Sequence, residues 1–287
     1  MYRTTNFWNE FLKFWEKNPI YLLSSLIYYP INIYIMGVNF YSFLYVTLAY
    51  ILCFIIAFTP LGEWLLRIIE KARPLETKKE REYILPLFEE VYQEAKQATP
   101  ELGYIEICII DNMTVNSSAL GTHTIAITKG AIETFTEDEL KAVLAHEIAH
   151  IVNSDTASKI FVLIGSGILS IFVLGVKLII NIADYTCATF KKNTGVFIVK
   201  VFRLFLQMFI FMATLIAQIA VTINSRSCEY RADMYVQKIG YGDKMIEALY
   251  MLEKLKLGEN SGIIQRMTAS HPRITARIER LENMNGQ

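Results

Sequence analysis

Two of the four histidines in this 287-residue chain, His146 and His150, stand four apart, with Glu147 directly after the first. On a helix, residues four apart project from one face, so both imidazoles can reach a single ion. Glu147 is then placed to hold a water bound to that ion. Two histidine ligands and an adjacent glutamate form the zincin arrangement. The chemistry is metal-assisted hydrolysis. The ion lowers the pKa of its water toward ~7, and Glu147 takes the proton and passes it to a leaving amine. A catalytic zinc also needs a third protein ligand and one open position, so a further donor must come from elsewhere in the chain.

The local sequence supports a helix under the motif. Thr136-Glu137-Asp138-Glu139 reads as a capping box. It opens a helix from Glu137 to about Val152, with Leu140, Val143, Leu144 and Ile148 on its apolar side. Upstream, a charged helix is expected near 76–98. Tyr104–Ile110 is β-branched and reads as a strand, Asn116–Leu120 as a polar turn, and Thr122–Thr128 as a second strand. The best source of the third ligand is Ser225–Asp233, where Glu229 and Asp233 are four apart. Glu229 would ligate, and Asp233 would accept a hydrogen bond from the far nitrogen of a ligand histidine. Taken alone, this segment reads better as a solvated Glu–Arg–Asp helix face. His123 and Cys228 are assigned no ligand role.

The rest of the chain must bring these segments together, and its charge distribution is uneven. Overall it is 53% hydrophobic and 20% charged, with 28 basic and 28 acidic residues. That apolar content excludes a disordered chain, and four cysteines are too few for a disulfide scaffold. The absence of a basic block argues against nucleic acid as a partner. From Asn18 to Gly62 there are 45 residues without a charged side chain. A membrane-crossing helix needs about 20, so spans are expected at about 20–37 and 40–60, turning near Pro30 or Met36–Asn39. Two further apolar runs, 160–183 with only Lys177 charged and 204–225 with no charge, form a second expected hairpin. No cleavable leader is expected, because the first apolar run begins only near residue 20. Basic residues flank the first hairpin (Arg3, Lys13, Lys17 before; Arg67, Lys71, Arg73, Lys78, Lys79, Arg81 after) and place both its ends in the cytoplasm.

With these features together, the chain resembles the HtpX-like membrane zinc metalloproteases, relatives of the CAAX prenyl proteases. The resemblance rests on two N-terminal apolar spans, the His146–His150 motif, the two-span insertion and the block Ser225-Arg226-x-x-Glu229-Tyr230-x-Ala232-Asp233. It implies one Zn2+ per chain held by His146, His150 and Glu229, with Glu147 as general base and Asp233 behind a ligand histidine. It also implies that Asn116-Ser117-Ser118-Ala119 corresponds to a substrate-binding edge strand, where Asn116 and Ala119 carry over and Ser117 stands where alanine is usual. The block His271-Pro272-Arg273-Ile274-Thr275-Ala276-Arg277 matches a late family motif. There His271 would stabilise the tetrahedral oxyanion, and Arg277 would orient it or bind the substrate carbonyl.

The expected fold is an α-helical membrane protein with about four transmembrane helices and an α+β zincin (gluzincin-like) catalytic domain. Residues 1–62 hold a cytoplasmic stretch and the first hairpin, 63–158 the first half of the catalytic domain, 159–225 the second hairpin and 224–287 the second half. His146, His150 and Glu229 must meet although the 160–225 runs separate them, so the chain between crosses the membrane an even number of times, or dips in and returns. Lys191, Lys192 and Lys200 in the intervening loop oppose an external placement under the positive-inside rule, and the shared ion outweighs them. His150 is ten residues from Ile160, at most ~15 Å as helix, so the ion lies near the membrane surface. The implied localisation is a multi-pass protein of a bacterial cytoplasmic membrane, catalytic domain in the cytoplasm. Its partners are the lipid bilayer and misfolded or damaged membrane proteins or unfolded polypeptides as substrates. Alternatives are a prenyl-peptide processing protease and a catalytically degenerate membrane scaffold.

Overall fold

A computed structural model describes residues 16–17, 19–156, 201, 205, 208–209, 212, 223–256 and 273–285. The chain divides into two compact units. One comprises Pro19–Phe54 and Ile160–Val221; the other comprises Met1–Asn18, Ile55–Lys159 and Thr222–Gln287.

The described part of the first unit is a helical hairpin. Helix α1 (Pro19–Met36) carries Pro30 in its interior, and α2 covers Phe40–Phe58. The turn between them falls at Gly37, whose φ of 92° suits a residue without a Cβ. Asn39 caps α2 by accepting the Ser42 amide at 2.8 Å. Tyr29 and Thr47 share a hydrogen bond of 2.7 Å across the hairpin. The expected spans at 20–37 and 40–60 therefore fold as two helices of 18 and 19 residues. At 1.5 Å per residue they reach about 27–29 Å, just short of a hydrocarbon core of about 30 Å. Among the described residues, no helix is long and apolar enough to cross a membrane. The expected spans at 160–183 and 204–225 lie outside the described residues, apart from 205, 208, 209, 212 and 223–225.

The second unit is α+β. Helix α3 (Pro60–Glu70) ends at Lys71, which adopts a left-handed conformation (φ 54°) and turns the chain into β1 (Ala72–Pro74). Helix α4 (Lys78–Ala98) is opened by a complete capping box between Thr77 and Glu80. Strands β2 (Glu106–Ile110), β3 (Ser117–Leu120) and β4 (Thr124–Thr128) join β1 in a sheet of order β1-β2-β4-β3. The central pair β2/β4 is parallel, and both outer pairings are antiparallel. Buried on both faces, β4 reads as a near-continuous apolar run, as central strands do. Short α5 (Lys129–Thr134) leads into α6 (Glu137–Val152), which carries the histidine motif. Past the second apolar region come α7 (223–238), α8 (Gly242–Lys256) and α9 (Ile274–Asn285).

The local reading of one segment is corrected, in favour of the edge strand that the resemblance implied there. Asn116–Leu120 is not a polar turn: Ser117–Leu120 is the edge strand β3, paired antiparallel with β4 through Ser118↔Ala126 and Ala119↔Ile125. Long-range pairing overrides the local turn preference of Asn-Ser-Ser. The actual turn follows at Gly121, with φ 80°. Helix α6 packs over β3 and β4 and is buried along most of its length. Leu140, Leu144 and Ile148 are fully buried, in one core with Ile107, Ile109, Ile125, Ile127 and Leu249.

Candidate active site

Helix α6 positions the first two functional side chains. Thr136 accepts the Glu139 amide, and Glu139 returns to the Thr136 amide at 2.8 Å, so the first turn is satisfied before the apolar face begins. Two turns on, the rings of His146 and His150 meet edge to face with centroids 4.7 Å apart. At the far end of α6, the Lys17 ammonium donates to the Val152 carbonyl at 3.2 Å, where the helix dipole favours a cation.

The third donor arrives from α7. Glu229 Oε2 lies 3.3 Å from His146 Nε2, and Oε1 lies 3.6 Å from His150 Nε2. The two Nε2 atoms are 3.2 Å apart. All three side chains are buried, with one ligand atom from each within 4.8 Å of the others. Metal–ligand bonds of 2.0–2.1 Å in a tetrahedron require edges of about 3.3–3.4 Å. The observed separations match that shape.

The outer nitrogens show which atoms face inward. His150 Nδ1 donates to Asp155 Oδ2 at 2.9 Å, and His146 Nδ1 lies 3.2 Å from Asp233 Oδ1. Each carboxylate fixes its imidazole with the proton on Nδ1, which leaves the Nε2 lone pair facing the other histidine and Glu229. Two lone pairs and a carboxylate converging at such distances repel unless a cation sits among them. The donor set therefore fits a divalent metal. Burial and the Arg277 guanidinium push the His146 pKa down, but hydrogen bonds to Asp233 and Glu229 outweigh them and hold it up at about 9.

The carboxylates are themselves braced. Asp155 is fully buried, and its second oxygen accepts from Arg231 Nη2 at 3.0 Å. Arg277 on α9 grips Asp233 with a two-pronged contact, Nε to Oδ2 at 2.8 Å and Nη2 to Oδ1 at 2.6 Å. Burial alone would raise both aspartates, yet hydrogen bonds and these cations lower them, so both stay ionised.

The general-base candidate Glu147 is buried beside the histidines, and its Oε1 accepts a hydrogen bond from Ser117 Oγ at 2.6 Å. Ser117 and Ala119 share the face of β3 that packs on α6. Asn116 is held through its backbone, its amide donating to Thr128 Oγ1 at 3.0 Å and its carbonyl accepting from the Thr128 amide at 3.1 Å. Ala119 is buried, and its carbonyl accepts from Thr156 Oγ1 at 3.2 Å.

The structure thus brings together His146, Glu147, His150, Glu229, Asp233 and Arg277. Arg277 pairs with Asp233 and also lies against the candidate ligands, with Nη1 3.5 Å from Glu229 Oε2 and Nη2 3.4 Å from His146 Nε2. His271 lies outside the described residues. His123 sits in the β3–β4 turn, with Nδ1 2.7 Å from Thr122 Oγ1, and is not among the three donors. Sequence reasoning missed Asp155, Arg231 and the contact from Ser117 to Glu147. The signal for Asp155 was an acid five residues past His150, but it returns to that ring only because Ser154 adopts a left-handed φ of 55°.

A buried pair of histidines on a capped helix, a glutamate carboxylate brought beside them from a distant helix and a second glutamate hydrogen-bonded to the sheet edge form the side-chain set of a metallopeptidase centre of the zincin class. The sequence matches the profile of Peptidase family M48 over residues 78–285, and the chain belongs to that family. It is 31% identical over 277 residues to the Protease HtpX homolog of Bordetella petrii, covering 86% of this chain and 87% of that one. It is 32% identical over 218 residues to Protease HtpX of Actinobacillus pleuropneumoniae, covering 69% and 72%. The crystal structure of S. mikatae Ste24p shares the fold with a TM-score of 0.53 at 20% identity, covering 94% of this chain and 64% of that one. The protein is a metalloprotease.

Proposed function

We propose that this chain is an integral-membrane, zinc-dependent endopeptidase. It would cleave misfolded or damaged membrane proteins at the cytoplasmic face of the membrane, using one zinc ion per chain. The observation that carries the reading is the inward convergence of His146 Nε2, His150 Nε2 and Glu229 at tetrahedral spacing, with each imidazole held from behind by a carboxylate. Membrane attachment is supported by the 45 uncharged residues from Asn18 to Gly62 and by the apolar runs at 160–183 and 204–225.

Zinc held there would acidify a bound water and polarise the scissile carbonyl. Glu147 accepts the proton of the attacking water and delivers it to the departing amine. Ser117 holds the Glu147 carboxylate in one rotamer from the sheet edge. Asp155 and Asp233 keep the imidazoles in the ligating tautomer, while Arg231 and Arg277 keep those aspartates ionised and oriented. The test is Glu147→Gln in the full chain, reconstituted in lipid with a destabilised membrane protein as substrate. Loss of a general base costs about 10²–10⁴-fold, so cleavage should fall at least a hundredfold with zinc retained. Cleavage at the wild-type rate would refute the mechanism. Equal cleavage of the folded and destabilised substrate would refute the quality-control role alone.

A further inference from the structure

Helix α3 is amphipathic in the reverse of the usual sense. Its polar side faces the protein. Glu63 is only 9% exposed. It accepts from the Thr124 hydroxyl, which is itself fully buried, and from Arg67 Nη2 at 3.1 Å. Arg67 also donates from Nε to Thr124 at 3.1 Å and from Nη2 to Glu106 on β2 at 2.7 Å. The helix lies so close to the β3–β4 turn that a Cβ at Gly121 would stand 3.0 Å from the Glu63 Cβ. These bonds to two strands fix the rotation of α3 about its axis.

The opposite side faces outward and is apolar. Leu61 is 46% exposed, Trp64 57%, Ile68 55% and Ile69 69%. At 100° per residue, these four and the half-buried Leu65 occupy an arc of about 140° with no charged side chain in it. Isolated exposed apolar residues are ordinary, whereas a continuous face of large ones marks an interaction surface. Because the polar side is locked to the sheet, the helix cannot roll to bury this face.

Two features identify the occupant. First, α3 begins two residues after α2, whose described exposed side chains are apolar or aromatic along its whole length, from Phe40 and Tyr41 through Leu48 to Ile55. Helix α3 thus follows in sequence directly on a helix whose exposed side chains are of the kind acyl chains cover. Second, the segment that follows carries exposed Lys71, Lys79 and Arg81, which suit anionic headgroups. Trp64 supplies the amphipathic aromatic ring favoured at that boundary. We propose that α3 lies flat on the lipid surface, with Leu61, Trp64, Leu65, Ile68 and Ile69 sunk into the headgroup–acyl boundary, and so holds the catalytic unit at a fixed height above the bilayer. This rests on the membrane reading above and adds a specific contact to it.

The test uses the full chain with Trp8→Phe and Trp15→Phe, which leaves Trp64 as the sole tryptophan. It is reconstituted in phosphatidylcholine–phosphatidylglycerol vesicles whose acyl chains carry bromine at shallow or deep positions. Shallow bromine should quench Trp64 at least twofold, more than deep bromine does, with little quenching by aqueous acrylamide. Equal emission in brominated and plain lipid would overturn the proposal. In that case full acrylamide quenching would show a face in water, and shielding from acrylamide would show a face covered by protein. A parallel protein with Trp64→Phe and Ile51→Trp reports on α2. Quenching there by deep bromine, without quenching at Trp64, sinks the α3 contact alone; no quenching at either position sinks the membrane reading itself.

Discussion

Asp155→Asn should weaken metal binding although Asp155 is not itself one of the three candidate ligands. Asp155 is fully buried and accepts from His150 Nδ1 at 2.9 Å through one oxygen and from Arg231 Nη2 at 3.0 Å through the other. An asparagine amide has one acceptor oxygen. If that oxygen faces His150, the NH2 group confronts Arg231 donor to donor. If it faces Arg231, the NH2 group confronts Nδ1–H, and His150 is driven toward the tautomer whose proton sits on Nε2, the ligating nitrogen. Loss of such a carboxylate partner costs about 10–100-fold in metal affinity, or roughly 1.4–2.7 kcal/mol. The assay is competition for zinc with a fluorescent chelator, wild type against variant, alongside circular dichroism of the metal-free proteins. A drop in affinity of at least tenfold with unchanged secondary structure is expected. A zinc affinity within twofold of wild type would refute the claim that Asp155 sets the tautomer of His150.

Two further predictions follow from contacts outside the ligand set. Ser117→Ala removes a hydrogen bond of 2.6 Å to Glu147. At a net ~0.5–1.5 kcal/mol, kcat should fall about 2–13-fold with KM unchanged, and Ser117→Thr should recover part of the loss; steady-state kinetics on an unfolded polypeptide decides it. On the protein's outer side, hydrogen bonds from Arg73, then from the Thr77 and Glu76 amides, lower the Glu80 pKa from 4.5 to about 2. A depressed carboxylate stabilises the fold above its unfolded pKa, so this contribution should be complete above about pH 5 and vanish as pH falls toward 2. For an exposed pair it is worth about 1 kcal/mol or less. Arg73→Ala should therefore flatten the acid limb of a Tm-against-pH curve, and an unchanged limb would contradict the assignment.

What was legible in the sequence was local. Thr136 and Glu139 announce the start of α6 within four residues, and the four-residue spacing of His146 and His150 dictates a shared face whatever surrounds it. Thr77 and Glu80 mark α4 in the same way. What the local residues alone leave open depends on distant partners, and the resemblance, not a short window, pointed to Glu229 and to the edge strand. Glu229 on its own is one acid among many on a helix; its proximity to His146 comes from the packing of α7 on α6, which no short window encodes. The Asn116–Leu120 segment carries turn-forming residues, and only the ladder to β4 makes it a strand. Asp155 depended on a single left-handed residue, Ser154, and the reversed amphipathicity of α3 on the buried Thr124 hydroxyl beneath it.

The central claim is that His146, His150 and Glu229 together hold one zinc ion. It is tested most directly by counting zinc per chain by elemental mass spectrometry in the purified full-length protein and in Glu229→Ala, a variant of the ligand furthest in sequence from the other two. The expected result is one zinc per wild-type chain and well under a tenth of that in the variant after dialysis against a weak chelator. A full equivalent of zinc in Glu229→Ala, or an active wild-type enzyme carrying none, would contradict it.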